Sequence, residues 1–250
     1  MKKALLIGGI VVIIAIVAVL VLLGNINKIV KKGVETTGPI ILKVPVTLES
    51  VDISFFSGSG ELKGLTVGNP EGYKTDYAFR MDQIKVKLDV GSVTSDKIHI
   101  NEIVIDSPNI IYEGSIGKSN INRILENVKA ITGEGGEDEE QGPAADSQGK
   151  KLQIDYFIIR NASISASTGI LQGKKLTIPL PTLELRDIGK EKDSDISDVI
   201  ERVLKAVNEA VIPAVKKEVF NIEGGLKGAG GAVKEKVKQG VDKIKGIFSK

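Results

Sequence analysis

A stretch of this chain recurs in pattern 54 positions further on, and that recurrence constrains the fold more than any other feature. Ile98-His99-Ile100-Asn101-Glu102-Ile103-Val104-Ile105-Asp106-Ser107-Pro108-Asn109-Ile110 lies over Leu152-Gln153-Ile154-Asp155-Tyr156-Phe157-Ile158-Ile159-Arg160-Asn161-Ala162-Ser163-Ile164 with every apolar position kept. Both copies alternate apolar and polar residues, the period of a half-buried strand. Both also change parity midway, Ile100 to Ile103 and Ile154 to Phe157, which predicts a bulge at Asn101 and Glu102. A shorter echo links Glu61-Leu62-Lys63-Gly64-Leu65 to Glu184-Leu185-Arg186-Asp187-Ile188. A repeated unit of this kind argues for an extended, antiparallel sheet that grows in one direction.

Around the first copy, from Ile40 to Glu113, short β-branched alternations continue: Ile40, Leu42, Val44 and Val46; Val51, Ile53 and Phe55; Ile84, Val86, Leu88 and Val90. Turn residues separate them at Ser57 to Gly60, Gly68 to Gly72, Ser92 to Asp96 and Ser107-Pro108-Asn109. About ten strands at roughly 4.8 Å spacing would give a sheet some 48 Å long. A helix follows, capped by Ser119 or Asn120, with Ile121, Ile124, Leu125, Val128 and Ile131 on one stripe that should lie on the sheet. Residues 133–149 are acidic and offer almost nothing apolar, so they are expected to be a disordered loop. After Lys192 the period returns to 3.6, with Ser194 as the expected cap, Ile196, Val199, Ile200, Val203, Leu204, Val207 and Val211 as the apolar face, and Pro213 as a kink or an end. Beyond a glycine-rich hinge, Lys234, Lys236, Lys238, Lys243 and Lys245 oppose an apolar side that includes Ile247 and Phe248, a basic amphipathic tail suited to a membrane surface.

The N-terminus adds a second constraint. From Ala4 to Leu23 no residue is charged, and about 20 helical residues rise roughly 30 Å, the thickness of the bilayer hydrocarbon. Leu22, Leu23, Gly24 and Asn25 end the run without a small-x-small cleavage pattern, so it reads as an uncleaved signal anchor rather than a removed peptide. Lysines flank both ends, Lys2 and Lys3 against Lys28, Lys31 and Lys32, so charge alone leaves orientation open. The expected organisation is an anchor at 1–25, a first β unit plus helix at 26–132, the acidic loop at 133–149, a second β unit at 150–192, an amphipathic helix at 193–223, and hinge and tail at 224–250. The fold class expected is mainly β with helices: a transmembrane helix, a curved, groove-like antiparallel sheet, one packed helix and C-terminal helices.

Composition removes several function classes. With 34 basic against 32 acidic side chains the net charge is +2, too balanced for a nucleic-acid binder. The chain has no cysteine and one histidine, so thiolate metal sites, cysteine nucleophiles, histidine triads and multi-histidine centres cannot be built. His99 and the carboxylate pairs Asp52 with Glu61 and Asp82 with Asp89 read as solvated strand positions rather than acid–base machinery. No catalytic, cofactor-binding or metal-binding residue is therefore expected, and the chain is read as a non-enzyme.

The succession of an N-terminal apolar anchor, Leu48-Glu49-Ser50-Val51-Asp52-Ile53-Ser54, Gly60-Glu61-Leu62-Lys63-Gly64-Leu65-Thr66-Val67-Gly68-Asn69-Pro70-Glu71-Gly72-Tyr73, Asp106-Ser107-Pro108 and Gly117-Lys118-Ser119-Asn120-Ile121 resembles the AsmA family of bacterial envelope proteins over roughly residues 1–190. The resemblance implies a single-pass anchor in the bacterial inner membrane and a periplasmic domain related to the TamB-like and bridge-like proteins, whose β grooves are thought to carry lipid. On that basis membrane lipids, with other envelope proteins, are the expected partners. The lipid-groove candidates are Ile84, Val86, Leu88, Ile103, Ile105, Phe157 and Ile159. The rival expectation is a structural or interaction module whose same apolar face is a closed core under the helices.

Overall fold

The structure, a computed structural model, describes residues 24–115, 118–133, 150–167 and 176–226. The apolar run, most of the acidic segment and the basic tail with Lys234, Lys236, Lys238, Lys243, Lys245, Ile247 and Phe248 lie outside the described residues. Among the described residues no helix is long and apolar enough to cross a membrane.

The chain is mixed α/β, dominated by one extended mixed sheet. Helix α1 occupies residues 24–42. Strands β1 (Val46–Thr47), β2 (Ser50–Ser54), β3 (Ser59–Val67), β4 (Phe79–Leu88), β5 (Lys97–Asp106), β6 (Asn109–Ser115) and β7 (Lys118–Ser119) lead into α2 (Asn120–Thr132). Then come β8 (Lys151–Arg160), β9 (Ser163–Ser167), β10 (Leu176–Pro179), β11 (Leu183–Ile188) and α3 (Ile196–Leu226).

Several of these strands are halves of one longer strand. Strand β4 pairs antiparallel with β5 at Ile84↔Ile105 and, in the same register, with β6 at Phe79↔Ile110, so β5 and β6 form one line along its edge. Likewise β8 and β9 follow β5 and β6, and β10 and β11 follow β9 and β8. The sheet is thus six strands abreast, from β2 through β3 and β4 to the β10/β11 edge, or roughly 24 Å across. This corrects the 48 Å expectation, which laid collinear segments side by side.

The expected antiparallel sheet is also corrected, because the two repeat copies pair with each other in parallel. Ile98 faces Leu152, Ile105 faces Ile159 and Ile110 faces Ile164, so the sequence offset is the register of the sheet. Parallel neighbours need a long crossover, and the segment carrying α2 supplies it. The predicted bulge is present: Lys87 faces Glu102 while Leu88 faces Ile100, which leaves Asn101 as the extra residue.

A second discontinuity crosses the whole sheet. Gly64, Ser107 and Asn161 adopt left-handed φ values of 63°, 54° and 55°. The registers on either side bring Gly64 opposite Asp82, Asp82 opposite Ser107, Ser107 beside Asn161 and Asn161 opposite Pro181. Along this line each strand shifts parity, so apolar residues stand three apart: Leu62 and Leu65, Ile84 and Met81, Ile105 and Pro108, Ile159 and Ala162, Leu183 and Leu180. One left-handed residue re-aims an extended chain, and lined up across neighbours such residues crease the sheet while keeping one apolar face. Prolines finish the outer edge. Pro179 and Pro181 have no N–H to offer a further strand.

Helices α2 and α3 pack against each other and onto that face, α2 over β6 and α3 over β8, β10 and β11. A single apolar core joins Ile121, Ile124 and Val128 of α2, Val199, Val207 and Val211 of α3, Ile41 and Leu42 of α1, and Ile110, Ile154, Ile164, Ile178 and Ile188 of the sheet. Ser119 caps α2, its hydroxyl accepting the Asn122 N–H, and Gly133 ends it in the left-handed conformation at φ 81°. Asp195, one residue beyond the expected Ser194, caps α3: its carboxylate accepts the Ser197 and Asp198 N–H groups, and Asp198 accepts the Asp195 N–H in return. The helix runs through Pro213, whose exposed ring meets solvent rather than the packed face.

Candidate functional site

All seven groove candidates stand on one face of the sheet, in two cross-strand rows and the start of a third. Ile84, Ile105 and Ile159 are successive neighbours, as are Val86, Ile103 and Phe157, while Leu88 pairs with Ile100. The rows differ in cover. Ile84 and Ile105 are 7% exposed and Phe157 and Ile159 are 5% exposed, so these four belong to the closed core. Val86, Leu88 and Ile103 are half-buried, and so are Ile53, Leu62, Ile98, Ile100 and Leu185 around them. Among the described residues α2 and α3 lie over β6, β8, β10 and β11, α1 runs beside β2, and the apolar side chains at the β2 to β5 end of the face are only half-buried. Gly60 sits in the Val86 row between Ile53 and Val86 and carries no side chain, so the row has a notch there. Alternation within single strands pointed to Val86 and Ile103, whereas Ile53, Leu62 and Leu185 join the strip only through cross-strand register.

The opposite face is polar and laced with pairs. Lys87 meets Glu102 at 3.1 Å, Arg160 meets Asp106 at 2.8 Å, and Arg186 lies 4.5 Å over the Tyr156 ring. Hydrogen bonds from Asn161 and Ser107, then Arg160, hold the Asp106 carboxyl below its ordinary range. This is the solvent side, and its exposed pairs contribute little each.

Asn69 and Asn120 meet in a polar network at the start of α2. Asn120 is fully buried; its side-chain nitrogen donates to the Asn69 side-chain oxygen and the Ile111 carbonyl, both at 2.8 Å. Its oxygen accepts from the Glu113 N–H at 3.0 Å and the Ile121 N–H at 2.9 Å. Asn69 in turn donates to the carbonyl and hydroxyl of Thr75, and Glu113 accepts from the Lys74 and Thr75 N–H groups and the Thr75 hydroxyl. Burial pushes the Glu113 carboxyl up, but these donors together outweigh it and hold the carboxyl below its ordinary value. Every member is satisfied, so the network fastens the 68–75 loop to the start of α2 rather than presenting reactive groups.

Between β11 and the first turns of α3 lies a cleft of about 560 Å³ lined by charged side chains, among them Arg186, Lys192, Arg202 and Lys205 with Asp187, Glu191, Asp198 and Glu201. The signs balance, so it selects no ligand charge. Of the discounted acid–base groups, Asp52 and Glu61 are direct cross-strand neighbours. The Glu61 carboxyl is bound by Gln83 and Lys63 and held below its ordinary range, which suits an ion-pair partner and not a proton donor. Asp89 caps the short 3-10 turn Val90–Thr94. His99 is half-buried and its ring nitrogen lies 2.8 Å from Asp155 of the second copy. No protein-family model, no curated protein and no solved structure matches the chain.

Proposed function

We propose that this chain is a membrane-tethered, AsmA-like envelope protein that binds or handles lipid through the less covered end of its apolar sheet face. The observation that carries the reading is the strip formed by Ile53, Leu62, Val86, Leu88, Ile100 and Ile103: six apolar side chains in adjacent registers, all half-buried, on a face whose other end is sealed by α2 and α3. Apolar surface of this shape, next to a notch at Gly60, matches what an acyl chain needs, a trough without hydrogen-bonding groups. The uncharged run Ala4 to Leu23 would hold the domain at the bilayer, where such a ligand is found. On this reading the domain lies on the periplasmic side of a bacterial inner membrane and performs no bond-making chemistry.

A second reading is favoured by the burial of Ile84, Ile105, Phe157 and Ile159. If the flanking strip is only the margin of that core, the domain is a structural or interaction module of the envelope. The discriminating experiment is extraction of the full-length protein from membranes in mild detergent, followed by mass spectrometry of bound lipid and photo-crosslinking from Val86 or Ile103. Stoichiometric phospholipid with acyl-chain crosslinks at these positions supports the lipid reading. A lipid-free preparation that crosslinks to no acyl chain overturns it and leaves the structural module.

A further inference from the structure

The turn that joins β2 to β3 carries two phenylalanines, and they do not join the core. Phe56 is 100% exposed and Phe55 38%, and the whole segment from Ile53 to Gly60 is uncharged. Three hydrogen bonds fix where this tip points. The Leu48 N–H donates to Glu35 at 3.0 Å, Lys31 donates to the Glu49 carbonyl at 2.9 Å, and the Ile53 N–H donates to the Asn27 side chain at 3.0 Å. Strand β2 therefore runs antiparallel to α1, and its continuation leads toward Gly24, the residue immediately after the apolar run. From Asn27 back to Gly24 the helix rises about 4.5 Å, while β2 continues one residue past Ile53, to Ser54, about 3.3 Å, before the 55–58 turn carries the two phenylalanines onward. The tip therefore stands near the level where the apolar run ends. Lys28, Lys31 and Lys32 stand on the neighbouring turns of α1, and Ile29 beside them is 49% exposed.

We propose that the Phe55–Phe56 tip inserts into the membrane interface beside the anchor, giving the domain a second point of contact with the bilayer. The chosen occupant is lipid, because the tip is uncharged, aromatic and held at the end of the domain from which the apolar run continues. A domain hung from one helix can swivel, whereas one fixed at two points presents a constant face to the membrane. The inference rests on the reading of residues 4–23 as a bilayer span, so its test separates the two.

The chain has no tryptophan, which makes a single introduced indole an unambiguous reporter. Full-length Phe56→Trp and, separately, Leu20→Trp are reconstituted into phospholipid vesicles with and without brominated acyl chains. The expected result is blue-shifted emission and strong quenching by brominated lipid for both variants. Quenching of Leu20→Trp with water-like, unquenched emission from Phe56→Trp overturns the tip proposal and spares the anchor. Blue-shifted but unquenched emission from Phe56→Trp also overturns it, placing the tip against protein, as in a second copy of the chain. Quenching of Phe56→Trp alone removes the anchor and with it the two-point attachment, which overturns the proposal. Because Phe56 touches solvent only, the substitution leaves folding intact, and Phe55→Trp repeats the test from the adjacent position.

Discussion

The side chains of Asn69 and Asn120, 51 residues apart in sequence, meet at 2.8 Å in the buried corner where β6 passes into α2. Each uses its amide twice over, and the backbone groups they satisfy belong to the loop after β3, to β6 and to the first turn of the helix. The corner is held by hydrogen bonds that an apolar residue could not replace.

Asn120→Ala is therefore expected to cost about 3 kcal/mol, since it strands two N–H groups and a carbonyl out of water. Asn69→Ala, at a half-buried position, should cost about 1 kcal/mol. Urea unfolding of the full chain in detergent, followed by circular dichroism, measures both. Equal, small losses would mean that water takes the place of the Asn120 amide.

Glu113 gives the same corner a pH dependence. Its folded-state pKa is depressed, so its contribution is present above the unfolded value of about 4.3 and is lost as pH falls through the folded value. Glu113→Gln should remove about 1 kcal/mol near neutrality, allowing for partial exposure. The gap between the two proteins should then close in acid. A gap that persists unchanged at pH 3 would show that the charge of the carboxylate is not what fastens the loop.

Ile105 and Ile103 stand two apart on one strand yet under different cover, so the same substitution should act differently. Ile105→Asp places an unpaired carboxylate in the sealed core and should cost about 4 kcal/mol or more. Ile103→Asp can stay hydrated, and should cost less than about 2 kcal/mol while abolishing recovery of bound lipid. Thermal melts and lipid analysis of the same preparations report the two effects.

Along the crease, Ser107 holds a φ of 54° that glycine adopts freely and a β-branched residue resists. Ser107→Gly and Ser107→Val both lose the hydroxyl's bond to Asp106. They should nevertheless differ by about 2 kcal/mol in favour of glycine. Similar stabilities would mean that the corner relaxes out of the left-handed region when its residue changes.

Much of this architecture was legible in the sequence. The offset between Ile98 and Leu152 is the strand register itself, and the parity slip at Asn101 is the bulge. The parallel pairing was not legible, because alternation records which residues face inward and says nothing of a neighbour's direction. The crease was hidden for a different reason: Ser107-Pro108-Asn109 has the composition of a hairpin turn, and only the unbroken register along β4 shows that the strand continues beyond it. Cover was hidden too. Ile103 and Ile105 carry the same side chain, and their different exposure depends on where α2 and α3 come to rest.

The matching left-handed corners at Ser107 and Asn161 put the crease at the same place in both copies, so a further parallel copy would find on the second the line that the second found on the first. Width in such a sheet is a quantised trait. A gene duplication inserting one more unit ahead of β10 would widen it by one strand, about 4.8 Å, without redesign of either finished border. Evolution could thus widen or narrow the apolar sheet face by whole increments, as a carpenter adds a board between two fixed end panels.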